Sequence, residues 1–300
     1  YLGLPAHDAV VIGYPGQLDA LMLKPFARLR GVPLVLDLVQ SAYLSLVHVR
    51  GTLTPGQPAA RLLLALERLA LRRADRVVFL SRFAATDLAP LFKLSPERTG
   101  AVMIGVEPEH FPPAAPRPLP DPAQRPLEVL FYGSFHRLHG IDSLIEAARL
   151  AHDLPIHWTL IGQGQEEARI RALLARAPLP KLNWIPWVPY QELVDWLHRS
   201  DIALGLLGRP AEMGWVIPNK VCQILRAGVP LITADTLAVR ELVGMDRPDL
   251  ALVPPGDAVA LVAAVRQMAE GLRTPPAEGR RHADLMARLH PEAIGQAFLE

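Results

Sequence analysis

The sequence predicts an α/β chain of two doubly wound domains. Three observations carry that prediction. Short apolar runs alternate with helical patterns along most of the chain, the rhythm of parallel strands joined by crossover helices. The rhythm breaks once, at FPPAAPRPLPDPAQRP (Phe111–Pro126), where seven prolines in sixteen residues sustain neither helix nor central strand. A length of 300 residues is also long for a single core and ordinary for two. The division expected is residues 1–110, a stiff linker at 111–126, and residues 127–300.

In the first domain, Ala9–Gly13 (AVVIG) reads as a strand and Gln17–Arg30 as a helix closed by Gly31. Pro33–Asp37 (PLVLD) is the second strand, Ala59–Ala74 a leucine-rich helix, and Arg76–Leu80 (RVVFL) the third strand. Ser81 is placed to cap the next helix, and Gly100–Ile104 reads as the fourth strand. The chain enters its first strand without a starting methionine, and only four candidate strands precede the prolines. The expectation is a first domain incomplete at its N-terminus, with a short sheet and an exposed edge.

The second half restarts the alternation. Leu127–Tyr132 (LEVLFY) is a strand followed by Gly133 and a helix over Ile141–Ala151. His157–Ile161 leads into Gly162-Gln163-Gly164 and a helix of Glu166–Arg176. Leu182–Ile185 is a short strand, Tyr190–Arg199 a helix, and Ile202–Leu206 a strand. In VIPNKVCQILRAGVPLITADT (Val216–Thr236), a helix opens at Pro218, closes at Gly228 and runs into a buried strand. Leu250–Val253 and Ala258–Leu272 supply a last strand and a long helix.

Composition excludes several classes. With 50% hydrophobic and 20% charged residues the chain is globular, and a formal net charge of +1 argues against bulk binding to nucleic acid. A single cysteine, Cys222, permits no intramolecular disulfide and fits a reducing, cytoplasmic compartment. No apolar run reaches the roughly 18 residues of a membrane span, and no basic-then-apolar leader opens the chain. Gly162-x-Gly164 lacks the third glycine of a dinucleotide fingerprint and reads as a tight turn. No histidine pairs with carboxylates at metal-ligand spacing, and no cofactor is expected.

One polar pair stands out. Asn219-Lys220 occupies the first turn of a helix, the end that carries unpaired N–H donors and the positive end of the dipole. A solvated lysine is the ordinary explanation; an anion bound there is the sharper one.

The second half resembles the sugar-nucleotide-binding domain of GT-B glycosyltransferases, specifically the retaining family-4-like enzymes. LFYGSFHRLHGIDSLIEAARL is similar to the family's opening strand, glycine turn and helix, and WTLIGQGQEEARIRALL to its next unit. VPYQELVDWLHRSDIALGL, VIPNKVCQILRAGVPLITADTLAVRELV and LVPPGDAVALVAAV resemble the following units in order, across about Leu127–Leu272. Upstream, LRRADRVVFLSRF resembles a strand of the acceptor domain. The resemblance implies two Rossmann-like domains facing across a cleft, the start of the helix near Pro218 directed into it, and a diphosphate held by cations and N–H dipoles as the sugar leaves. Lys220, with Pro218 and Asn219, matches the nucleotide-binding helix start, and Gly133 the opening glycine turn.

Departures from the family pattern are equally specific. Ser134 stands where the resemblance implies arginine, and His139-Gly140 where it implies Lys-Gly; Arg137 lies between them and could replace a lost charge. A histidine is partly charged near neutrality and more so beside an anion, so His139 is expected to substitute for the lysine. Trp215 and Gln223 occupy the positions of two glutamates; Gln223 keeps an acceptor oxygen, and Glu212 is acidic but three residues out of register. Asp37 ends its strand where an acid could orient an acceptor hydroxyl, or simply cap a turn.

The expected function is transfer of a hexose from a nucleoside-diphosphate sugar to a glycan, lipid-linked or small-molecule hydroxyl, with retention. The departing phosphate would take the acceptor's proton. A non-catalytic nucleotide- or glycan-binding protein or partner subunit is the alternative from another class; an epimerase would need carboxylates that are not found. LMLKPFARLRG and RLLLALERLALRR could contact an anionic membrane at its inner face, or could pack on the sheet and expose their arginines.

Overall fold

The computed structural model describes residues 3–115, 118–121, 123–209, 214–244, 247–273 and 281–299. The chain divides into two compact units, the first of Tyr1–Met103 with Gly214–Val216, the second of Ile104–Met213 with Ile217–Glu300.

In the first unit the elements are β1 (Val10–Ile12), α1 (Asp19–Leu29), β2 (Leu34–Asp37), α2 (Ala42–Leu44), α3 (Pro58–Arg73), β3 (Arg76–Phe79), α4 (Arg82–Phe92) and β4 (Thr99–Ala101). The strands form one parallel sheet in the order β1-β2-β3-β4, with Val11 opposite Val35 and Asp37 opposite Val78. Ser81 caps α4 as the sequence implies, its Oγ accepting from the Ala84 N–H at 3.0 Å. The fourth strand is shorter and earlier than expected: it ends at Ala101, and Gly105 already packs against Leu289 of the second unit's own chain segment. The core of this unit gathers Leu34, Leu36, Val77, Phe79 and Phe92 from alternate strand positions and the inward face of α4.

The second unit is a six-stranded parallel sheet in the order β10-β9-β8-β5-β6-β7. Its elements are β5 (Leu127–Tyr132), α5 (Ile141–Leu150), β6 (Ile156–Ile161), α6 (Glu167–Arg176), β7 (Leu182–Ile185), α7 (Tyr190–Arg199), β8 (Ile202–Leu204) and α8 (Asn219–Ala227). There follow β9 (Leu231–Ala234), α9 (Leu237–Val243), β10 (Leu250–Val253), α10 (Ala258–Gly271), α11 (Ala283–Arg288) and α12 (Pro291–Leu299). Phe131, Trp158, Leu160, Leu204 and Ile232 are fully buried in its core, each contributing about 1.5–3 kcal/mol of transfer free energy. Chain order reverses between β8 and β5, so the loops at their carboxyl ends flank the crevice where open α/β sheets take ligands.

The proline-rich segment corrects the expected boundary. The division falls between Met103 and Ile104, and residues 104–126 belong to the second unit instead of spanning free. Phe111 is fully buried, the Ala114 N–H donates to Ala227 O and the Leu119 N–H to Leu272 O, both at 2.9 Å. Arg125 closes the strap with a two-pronged contact to the buried Asp201 carboxylate, at 2.7 and 2.8 Å. Prolines forbid helix and central strand, but an extended segment can still dock through its remaining N–H groups.

Candidate functional site

β5 carries the apolar run LEVLFY into the sheet centre and ends at Gly133, whose φ of +136° suits glycine. A Cβ there would lie 2.8 Å from the Lys220 Nζ and 3.1 Å from the His139 Cε1. Three of the residues singled out from sequence therefore meet at one point. The backbone beyond follows a short turn of Arg137–His139, and Gly140 takes φ +66°. That turn is pressed onto the loop after β8: the Leu207 N–H donates to His139 O at 3.3 Å, and a Cβ on Gly140 would sit 2.3 Å from the Gly208 nitrogen.

α8 delivers Lys220 from the other side. Val221, Cys222, Ile224 and Leu225 bury one face of this helix, and Gly228 caps it with φ +70°. Pro218 is the residue before the first helical position, with extended backbone, not the first-turn residue expected from sequence. Burial pushes the Cys222 thiol up to about 12, which leaves it a protonated packing group.

Lys220 is only 6% exposed, and its Nζ has no hydrogen-bond acceptor among the described residues. The Phe131 ring centroid lies 3.8 Å from it and that of Tyr132 5.9 Å away. An aromatic face contributes about 0.5–2 kcal/mol to a cation, less than the several kcal/mol lost on burying an ammonium. Desolvation accordingly drives the Lys220 pKa well below that of an ordinary lysine.

His139 behaves in the same way. Burial first, then the charges of Lys220 and His136, hold its imidazole down at about 2, and its Nδ1 has no partner among the described residues. The expectation of a partly charged histidine standing in for lysine is thus corrected: burial keeps the His139 imidazole neutral. Its ring stands edge-on to Phe131, with centroids 5.8 Å apart.

The remaining sequence candidates scatter more widely. Gln223 is already engaged, its Oε1 accepting from the Tyr132 hydroxyl at 3.0 Å. Tyr132 also donates to the Lys220 carbonyl at 3.3 Å, so this phenol braces α8 against β5. Ser134, Arg137 and Asn219 are exposed, and Pro218 is buried. Arg137 and Gly140 also line a depression of about 1140 Å³, whose lining includes neither Lys220, His139 nor Gly133. We place the site at the unpartnered donors, because orphaned buried nitrogens call for a ligand and an open groove does not. Trp215 belongs to the first unit and donates to Asp87 at 2.5 Å. Asp37, also in the first unit, has its carboxyl pKa raised by burial. Glu212 lies outside the described residues.

Phe131 and Tyr132 were not singled out from sequence. The signal was present in LFYG, two aromatics directly before a glycine turn, but aromatics at a strand end ordinarily signify core.

With this geometry established, comparisons with known proteins converge. A family model described as "Glycosyl transferases group 1" matches residues 126–271, and one described as "Glycosyl transferase 4-like domain" matches residues 2–105. The chain belongs to the group 1 glycosyltransferases. An Escherichia coli K12 protein, WcaI, whose name proposes glycosyl transfer in colanic acid biosynthesis, is 30% identical over 141 residues, 46% of this chain and 34% of that one. The match thus spans about a third of this relative's length. Among solved structures, sucrose-phosphate synthase from Thermosynechococcus elongatus aligns with a TM-score of 0.70 at 17% identity, covering 98% of this chain and 73% of the other. Anabaena HepE in complex with UDP aligns with a TM-score of 0.68 at 14% identity, covering 97% and 77%. An Escherichia coli trehalose-6-phosphate structure bound with UDP-2-fluoro glucose aligns at 0.63 with 16% identity, covering 97% and 72%. At these identities the likeness establishes the fold, a two-domain Rossmann-like GT-B architecture.

Proposed function

We propose that this group 1 glycosyltransferase transfers a hexose from a nucleoside-diphosphate sugar to a hydroxyl acceptor, with retention of anomeric configuration. The observation that carries the proposal is the buried, unpartnered Lys220 Nζ beside His139 and Gly133, at the carboxyl end of the central strand. An amine walled by aromatic rings, its pKa pushed well down by burial, is a poor resting state, and a diphosphate would reverse its electrostatics: the anion favours the ammonium and receives a charge-assisted hydrogen bond. The first backbone N–H groups of α8 have no intrahelical partner and add their dipoles to the same place.

Breaking the bond between the anomeric carbon and the phosphate oxygen leaves more negative charge on the diphosphate than the ground state holds. Lys220 therefore stabilises the departing group more than the intact donor, which is what accelerates the step. The phosphate oxygen so released accepts the proton of the acceptor hydroxyl on the same face of the sugar. His139, held neutral by burial, donates or accepts one hydrogen bond and gains charge as the anion enters. Asp37 is proposed to orient the acceptor hydroxyl.

A second reading is favoured by one observation. Gln223, where a glutamate would hold the donor, spends its oxygen on Tyr132, so binding without transfer is the alternative. The solved neighbours named with UDP and a UDP sugar make uridine the base to test first. Purified protein should release UDP from UDP-glucose or a related UDP-hexose, and release should fall with Lys220→Ala. Binding of UDP with no turnover of any UDP-hexose would assign the chain to the binding class.

A further inference from the structure

We propose that Tyr132, Gln223 and Tyr190 form a hydrogen-bonded brace that sets where the Lys220 amine stands, which makes Tyr132 and Gln223 positioning residues for the departure of the diphosphate. The functional half of this inference rests on the donor-site reading; the placement of the amine does not.

Three elements of the second unit meet at one amide. Tyr132 ends β5, Tyr190 opens α7, and Gln223 lies one turn beyond Lys220 on α8. Residues three apart on a helix are neighbours on its surface, so whatever holds Gln223 also fixes the rotation of α8 that presents Lys220. The Tyr132 hydroxyl reaches both residues, Gln223 Oε1 at 3.0 Å and the Lys220 carbonyl at 3.3 Å. Burial raises its pKa well above that of an ordinary phenol, so it keeps the proton that it donates. The nitrogen of the Gln223 amide donates in turn to the Tyr190 phenol oxygen. Tyr190 is held from outside: its ring stands edge-on to the fully buried Phe111 of the proline strap, with centroids 5.6 Å apart.

An amide suits this position and a carboxylate does not. Gln223 has an acceptor and a donor group and uses both. A glutamate would accept from Tyr132 but would have no N–H for Tyr190. It would also bring a negative charge one turn from Lys220, where an i, i+3 ion pair would neutralise the cation a diphosphate needs. Anchoring through the helix matters because the Lys220 Nζ has no hydrogen-bond acceptor of its own among the described residues. Its place 3.8 Å from the Phe131 ring centroid is therefore inherited from α8. Moving a group by about 1 Å from the charge it stabilises can cost on the order of a hundredfold in rate.

Two measurements on the 300-residue chain test the proposal. The chain has four lysines, so isotope-labelled lysine gives four side-chain signals by NMR. One of them, missing from Lys220→Met, should be shifted upfield by the Phe131 ring. Tyr132→Phe and Gln223→Met should each move it toward the other three. The double variant should move it no further than either alone, as for two parts of one brace. Tyr190→Phe should move it less, since the inner bond survives. In turnover of UDP-glucose, kcat is expected to fall by about tenfold in Tyr132→Phe and in Gln223→Met. KM should stay within about twofold, because the lost placement is felt mainly as charge develops on the diphosphate. An unmoved Lys220 signal in both variants would overturn the brace. So would a moved signal with kcat unchanged, or a fall in Tm alone; the contacts would then be packing, and the donor-site reading would survive. Failure of that reading looks different: the parent protein would neither bind UDP nor turn over UDP-glucose while the signal still moved. The positioning role would then fall with it, and only the placement of the amine would stand.

Discussion

Each unit buries a long charged side chain, and the two are treated in opposite ways. Glu67, on α3 of the first unit, is 2% exposed and accepts from the Ser41 Oγ, the Ala42 N–H and the Tyr43 N–H at 2.8, 2.8 and 3.1 Å. It pins the start of α2, and with it the loop that leaves β2 after Asp37. Lys220, on α8 of the second unit, is also buried, and its amine has no hydrogen-bond acceptor among the described residues, only the faces of Phe131 and Tyr132 as polar company. Burial shifts both away from their charged forms, raising Glu67 and lowering Lys220, but only Glu67 has hydrogen bonds that work against the shift. A buried charge with all its partners is part of the framework. One kept without them costs stability that a ligand can return.

The strongest way to break this comparison is to remove both charges and compare the signs. Glu67→Ala strands one buried hydroxyl and two N–H groups, and each unsatisfied group costs about 1–3 kcal/mol. The expected loss is about 3 kcal/mol or more in the urea unfolding of the first unit, with Glu67→Gln recovering part of it. Lys220→Met replaces an unpartnered amine with a chain of similar length and should leave the second unit as stable as before, or slightly more so. If both variants lost stability equally, Lys220 would be framework too.

Ligand binding should then separate Lys220 in the other direction. A hydrogen bond to a charged group contributes about 1.5–3 kcal/mol. Lys220→Met is therefore expected to weaken UDP binding by about ten- to a hundredfold. Glu67→Gln, in the other unit, should leave it unchanged. Isothermal titration of UDP into the three proteins makes the measurement.

The two groups also differed in how far the sequence revealed them. Strands such as LEVLFY and PLVLD, bounded by glycine or proline, could be read within a residue or two because nothing else suits an apolar run of that length. Lys220 could be located as a cation in a first turn, but not as buried: that depends on Phe131 and Tyr132, roughly ninety residues away in sequence and brought alongside only by the β5–α8 packing. Glu67 was invisible. Within LLLALERLAL a lone glutamate reads as a solvated helix charge, and its partners lie 24 to 26 residues earlier. The proline strap misled for a related reason, since its docking groups, Ala227, Leu272 and Asp201, are all distant in sequence.

Acid stability should show the contrast with smaller amplitude. His139 has its folded pKa lowered to about 2 from an ordinary 6.5, so the unfolded chain binds its proton first. Stability from this group is fully present above pH 6.5 and is lost as pH falls from there toward 2. Glu67 has the opposite sign: its raised pKa means that the folded state binds the proton more tightly, so stability falls as pH rises from the ordinary 4.5 through its folded value. His139→Gln should flatten the acid side of the second unit's profile, and Glu67→Gln the fall above the ordinary carboxylate range in the first. A His139→Gln profile that kept the parent's slope below pH 6.5 would contradict the neutral buried histidine.

The smallest effect is the one most specific to the site. If Lys220 and His139 shed their protons on burial and a diphosphate restores the charge, binding must take protons from solution. Enthalpies of UDP binding measured in buffers of different ionisation heat should reveal net proton uptake at pH 8, where free UDP is fully ionised and releases none. Affinity should fall correspondingly as pH rises. The two nitrogens can be told apart: Lys220→Met should abolish most of the uptake, because at pH 8 an amine beside an anion is fully charged and an imidazole only partly so. His139→Gln should remove only the part that persists toward pH 6, where an imidazole beside an anion titrates. Binding with no proton uptake in the parent protein would mean that Lys220 is already charged in the empty site. The Phe131 ring would then be its true partner, and the distinction drawn between the two buried charges would reduce to one of hydrogen bonds against an aromatic face.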